Sequence, residues 1–119
     1  MDAPPITPAP SSERRTEYRK PLRTRVNLAF SDRRPADGRA FDVAAGGMGV
    51  VLDVNLPIGT MCSVSFSLLF KDGHSVAGKT NAKVAYCVLS GKEHGFKIGL
   101  QFTNISEQLA TSVVRYLES

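Results

Sequence analysis

The chain has 119 residues, of which 42% are hydrophobic and 22% charged, with a formal net charge of +4. That length supports one packed domain and excludes two of ordinary size. No run approaches the roughly 18 apolar residues of a membrane-spanning helix, and Met1-Asp2-Ala3-Pro4-Pro5 lacks the basic and apolar regions of a secretion signal, so the cytoplasm is the expected compartment and membrane insertion is not expected.

Residues 1–12 hold four of the seven prolines (Pro4, Pro5, Pro8, Pro10) among Ala, Ser and Thr, and predict a disordered or polyproline-II lead-in. Between Glu13 and Arg25 lie six bases (Arg14, Arg15, Arg19, Lys20, Arg23, Arg25) against two acids (Glu13, Glu17). Elsewhere nine bases meet nine acids, so the whole net charge sits in this segment. A basic arm on a neutral globule is the electrostatic footprint of an anion-binding protein, and the planar fork of Arg suits phosphates and guanine edges. The same charge would also serve a solubilising tail or a loose nucleic-acid arm.

From Thr24 the pattern is that of strands. Arg25 to Phe30 alternates with Val26, Leu28 and Phe30 on one face. Ser31 to Gly38, with Pro35 and Asp37-Gly38, predicts a turn region. Arg39–Val43 and Met48–Leu52 read as short strands either side of a glycine-rich turn, and Met61–Phe70 as a strand with Val64, Phe66, Leu68 and Phe70 in phase. Asp72-Gly73 signals a hairpin into a long strand, Ser75–Val88, with Gly78 as a candidate kink. Phe96–Phe102 alternates again, and then the period changes. Ile105, Leu109, Val113 and Tyr116–Leu117 recur at helical spacing, with Asn104 or Ser106 as cap, predicting a C-terminal helix over 105–117. Five to seven strands followed by one helix is the grammar of a mainly β protein, a small antiparallel barrel plugged or flanked by the helix.

Nothing points to bond-making chemistry, and no enzyme is expected. His74 and His94 stand in apparent turns beside Gly73 and Gly95, no spacing suggests a zinc site, and no cofactor is implied. Cys62 and Cys87 sit in apolar surroundings and read as buried free thiols.

The segment Asp42-Val43-Ala44-Ala45-Gly46-Gly47-Met48-Gly49 is the second unusual feature. Such a turn has little side-chain cover, can take positive φ and lets another group approach closely. Asp42 at its mouth adds a carboxylate acceptor, apt for the N1 and N2 donors of guanine. It is not a phosphate loop, because no Gly-Lys-Ser/Thr follows and a strand comes next. A plain glycine hairpin remains the alternative.

Arg15-Thr16-Glu17-Tyr18-Arg19 forms R-x-x-x-R with Arg14 just ahead, and Asp42 to Gly47 fits D-x-S-x-x-G at two of its three fixed positions. In their order and strand context these residues resemble the PilZ domain, the bacterial receptor module for cyclic di-GMP. The resemblance runs from about Glu13 to the C-terminus and includes Gly99-Leu100-Gln101-Phe102, similar to the family's closing G-x-x-F strand. It implies a six-stranded antiparallel β-barrel with a C-terminal α-helix: an arm over 13–25, a barrel over 26–103 and the helix over 105–117. It also implies that Arg15 and Arg19 wrap phosphates and guanine edges, that Arg14 stacks on a base or grips a phosphate, that Asp42 accepts from a guanine, and that Gly46 and Gly47 keep the turn close to the ligand. Ala44 stands where the family usually has Ser, so one hydroxyl is missing.

The expected function is therefore a stand-alone cyclic di-GMP receptor whose Arg-rich arm orders on binding and signals to a partner protein in motility, pilus or exopolysaccharide machinery. One alternative is a PilZ-like adaptor that has given up the nucleotide, as Ala44 would mark. The other is a small nucleic-acid-binding barrel, against which stand the absence of Trp and of an exposed aromatic platform.

Overall fold

The computed structural model describes residues 17–119; the proline-rich lead-in and Arg14 and Arg15 lie outside the described residues. Among the described residues seven strands precede one helix: β1 (Arg19–Pro21), β2 (Arg25–Ala29), β3 (Ala36–Ala44), β4 (Gly47–Leu52), β5 (Met61–Leu69), β6 (Ser75–Ser90), β7 (Gly95–Thr103) and α1 (Glu107–Glu118). Six strands close an antiparallel ring in the order β3-β2-β5-β6-β7-β4, with β4 returning to β3. The barrel and its C-terminal helix match the architecture that the alternation of residues predicts.

Alternation fills the interior. In β5, Cys62, Val64, Phe66 and Leu68 are buried while Ser63, Ser65 and Ser67 lie between them on the outer face. Val43, Met48, Val50, Val84 and Ile98 complete a continuous core. On α1, Leu109, Val113 and Tyr116 form the buried stripe, lying against β3, β5 and β6. Each such side chain contributes about 1.5–3 kcal/mol when fully withdrawn from water. Ser106 is the cap: its hydroxyl accepts the Leu109 N–H at 3.1 Å.

The structure departs from the sequence reading at several places. The arm is not uniformly without structure: Arg19–Pro21 pairs with β3 (Arg19 opposite Ala44, Pro21 opposite Asp42), continuing the edge on which β2 pairs farther along. Leu22 anchors it, being 3% exposed in the core. Asp37-Gly38 is not a turn but lies within β3, opposite Asn27 and Val26. Glycine is needed there because a Cβ at Gly38 would collide with the Val51 carbonyl and the Leu52 side chain. Gly78 does not kink β6; it faces inward and makes room for Leu109, whose Cδ1 would lie 2.5 Å from a Cβ at that position. The irregularity in β6 falls instead between Val84 and Tyr86. Cys62 is buried, and both cysteines are free, but Cys87 is only half-buried and its Sγ donates to Asn55 Oδ1 at 3.2 Å.

Candidate functional site

The segments that stand apart in the sequence meet on the outside of the barrel. β3 and β4 are joined by a two-residue turn, Ala45-Gly46, which brings Ala44 opposite Gly47. The edge strand β1 runs along the same end of β3, so Arg19 is paired with Ala44 while its side chain reaches Asp42. The guanidinium engages that carboxylate as a fork: Nε donates to Oδ2 at 3.0 Å and Nη2 to Oδ1 at 2.9 Å. Asp42 Oδ1 also accepts the Gly49 N–H at 3.0 Å, which fixes the carboxylate from the barrel side. The hydrogen bond to Asp42 holds the Arg19 guanidinium above its usual range, outweighing partial burial.

Glu17, from the centre of R-x-x-x-R, completes the cluster. Its Oε2 accepts the Gly46 N–H at 2.9 Å, and its Oε1 lies 3.5 Å from Arg19 Nη1. The ion pairs are partly open to water, with the Arg19 side chain 39% and that of Asp42 22% exposed. At such exposure a pair is worth up to about 1 kcal/mol, so an incoming anion can break it at small cost.

The turn does not use positive φ. Among the described residues the glycines in that region are Gly59 and Gly73, both elsewhere. The glycines of the turn answer to close packing instead: a Cβ on Gly47 would collide with the Leu100 carbonyl of β7, and one on Gly46 would lie 2.7 Å from Glu17 Oε2. The Gly46 carbonyl in turn accepts the Phe102 N–H at 2.9 Å. Ala44 is fully buried.

Sequence reasoning missed the neighbouring row of the barrel. Asp42 pairs with Gly49, Gly49 with Gly99, and Gly99 with Tyr86. Irregular pairing between Ala40 and Asp42 and between Val84 and Tyr86 places a bulge at each end of this row, where bulges re-aim side chains. The Phe41 ring and the Asp42 carboxylate cover Gly49, and the Tyr86 ring covers Gly99, so neither glycine has room for a Cβ. Tyr86 keeps 42% of its surface exposed beside the Arg19–Asp42 pair, and burial, reinforced by the Asp42 charge, pushes its phenol pKa up. The signal available in the sequence was the pair Gly49 and Gly99, each between apolar neighbours within a strand.

Arg19, Asp42, Ala44, Gly46 and Gly47 thus lie together around one turn, and Arg14 and Arg15 belong to the chain just before the described part of the arm. Among the described residues no three metal-ligating side chains come together. No helix there is long and apolar enough to cross a membrane.

The comparisons with known proteins agree with this architecture. The chain resembles the Bacillus subtilis inhibitor of motility MotI/DgrA, with a TM-score of 0.75 and 18% identity over 87% of this chain and 49% of that one. It resembles the PilZ domain of Escherichia coli YcgR, solved with c-di-GMP, with a TM-score of 0.66 and 18% identity over 88% of this chain and 89% of that one. The MrkH–c-di-GMP complex of K. pneumonia follows, at 0.64 and 12% identity over 87% and 50%. The chain therefore spans about half the length of the Bacillus and Klebsiella proteins. No curated protein sequence matches it. The family description PilZ domain matches residues 13–119, the arm, the glycine turn, the barrel and the helix together, and the chain belongs to the PilZ domain family.

Proposed function

We propose that the chain is a cytoplasmic cyclic di-GMP receptor that binds the dinucleotide between its arginine arm and the Ala45-Gly46 turn, and is not an enzyme. The observation that carries this reading is the Arg19 fork on Asp42 directly beside the Gly46 amide. A phosphate competes for the same guanidinium, and a guanine offers N1–H and N2–H to the carboxylate that Arg19 releases. Asp42 stays in place for that exchange because Gly49 holds it from behind. The Tyr86 ring offers an aromatic face next to the pair, and Arg14 and Arg15 close on the ligand from the arm. The c-di-GMP complexes of YcgR and MrkH support the choice of ligand.

Energetics favour the exchange. Each Arg–phosphate contact is charge-assisted and worth about 1.5–3 kcal/mol, against up to about 1 kcal/mol for the exposed pair it replaces. The missing hydroxyl at Ala44 removes one neutral bond worth about 0.5–1.5 kcal/mol, which weakens binding without abolishing it. β1 already holds Arg19–Pro21 on the barrel, so the ligand's part is to draw in the arm ahead of it, and the surface so formed is read by a partner protein of motility, pilus or exopolysaccharide machinery. The Bacillus inhibitor of motility supports a partner of that kind.

Isothermal titration with cyclic di-GMP tests the reading. Saturable heat is expected, with affinity more than about tenfold weaker in Arg19→Ala; no heat at high micromolar ligand would count for the ligand-free adaptor. Indifference to the dinucleotide with salt-sensitive binding of long oligonucleotides would count for the nucleic-acid barrel.

A further inference from the structure

The geometry points to Glu17 as an internal anion that occupies the ligand's anchor points and sets the affinity of the site, an inference that rests on the receptor reading above. All three guanidinium nitrogens of Arg19 face carboxylates: Nε and Nη2 donate to Asp42, and Nη1 lies 3.5 Å from Glu17 Oε1. The other Glu17 oxygen takes the Gly46 N–H, the amide at the tip of the glycine turn. One side chain therefore covers two donors that an anionic guest needs, a cation and a backbone amide.

The two carboxylates are not equivalent. Asp42 is built into the barrel, on a strand and bonded to Gly49, and it has hydrogen-bond acceptors to offer a base. Glu17 precedes β1, and its contacts are the same Gly46 amide and Arg19 that a phosphate would use. Two anions cannot share them: a phosphate on Arg19 and Gly46 stands within a few ångströms of the Glu17 carboxylate, and like charges that close repel. Binding therefore includes the departure of Glu17, and the free energy of its two contacts is subtracted from the affinity for the dinucleotide. A low concentration of messenger leaves the latch in place; a higher one displaces it.

Calorimetric titration of cyclic di-GMP into the full chain and into Glu17→Ala, Glu17→Gln and Asp42→Asn separates the roles. Glu17→Ala is expected to bind about two- to fivefold more tightly than the natural chain, the range for losing a partly exposed charged competitor. Glu17→Gln, which keeps an acceptor for Gly46 and loses the charge, should fall between them, and Asp42→Asn should bind more weakly. In the ligand-free protein the Gly46 amide resonance should move upfield in Glu17→Ala. Binding by the natural chain with Glu17→Ala and Glu17→Gln no tighter would overturn the latch and leave the receptor reading standing. Absence of heat from every variant would remove both.

Discussion

Lys20 and Tyr116, 96 positions apart, are joined twice: the Lys20 Nζ donates to the Tyr116 carbonyl at 2.9 Å and stands 4.4 Å from the centre of its ring. Tyr116 returns a bond from its hydroxyl to the Pro21 carbonyl at 2.9 Å. Lys20 also reaches the Ser119 hydroxyl at 2.9 Å, so an ammonium neutralises the carbonyl end of α1. Adjacent residues of the three-residue strand β1 thus face different tasks: Arg19 the glycine turn, Lys20 the helix end. Tyr116→Phe removes one part-buried bond and should cost about 1 kcal/mol. Lys20→Met removes the ammonium and should cost a similar amount. Thermal unfolding checks both, and unchanged midpoints in the two variants would mean that β1 is held by Leu22 and its strand pairing alone.

Binding should rank the arm above the missing hydroxyl. Arg19→Ala loses charge-assisted contacts and should weaken cyclic di-GMP binding more than about tenfold. Ala44→Ser restores at most one neutral bond and should strengthen it about two- to tenfold. Dissociation constants from titration of the two variants decide the order; a gain at position 44 larger than the loss at position 19 would contradict the energetic argument.

The glycines divide into two kinds. Gly47→Ala drives a Cβ into the Leu100 carbonyl, which belongs to a paired backbone and cannot move aside, so a loss of about 3 kcal/mol or more is expected. Gly99→Ala meets the Tyr86 ring, a side chain that can turn away. Stability should fall less there, while the displaced ring changes ligand binding. Denaturant unfolding alongside titration of both variants tests the contrast.

Burial lifts the Cys62 thiol from its ordinary 9.0 to about 11. The folded protein therefore keeps the proton that the unfolded chain gives up, so this residue's effect on stability is absent below about pH 9 and becomes a loss between about 9 and about 11. Stability measured across that window should decline less in Cys62→Ala than in the natural chain, after correction for its lower starting value. Equal slopes would place the alkaline sensitivity elsewhere.

Much of the fold is legible in the sequence. The strict alternation of Val64, Phe66 and Leu68 with serines, and the 3–4 spacing of Leu109, Val113 and Tyr116, specify strand and helix because each puts every apolar residue on one face. What the sequence hid is what depends on a side chain or carbonyl of another element packed alongside. Gly38 looks like a turn residue unless Val51 is known to pass beside it, and Gly78 looks like a kink unless Leu109 is known to need its space. Of the candidate site, Arg19 and Asp42-to-Gly47 were legible as short local patterns and meet around one turn, while Arg14 and Arg15 lie outside the described residues. Tyr86 was not, since only the bulge before it and the bare Gly99 opposite bring it to Asp42. Nor was Glu17, whose bond to Gly46 joins the centre of one motif to the tip of the other.

An amide-resolved NMR titration of the full chain with cyclic di-GMP tests the central assignment most directly. Shifts are predicted at Glu17 and Arg19, across 42–49 and at Tyr86 and Gly99, saturating together, with the serine-bearing outer face of β5 unmoved. A spectrum that stays unchanged, or one whose shifts cluster on β5 and leave Arg19, Asp42 and Gly46 in place, would contradict it.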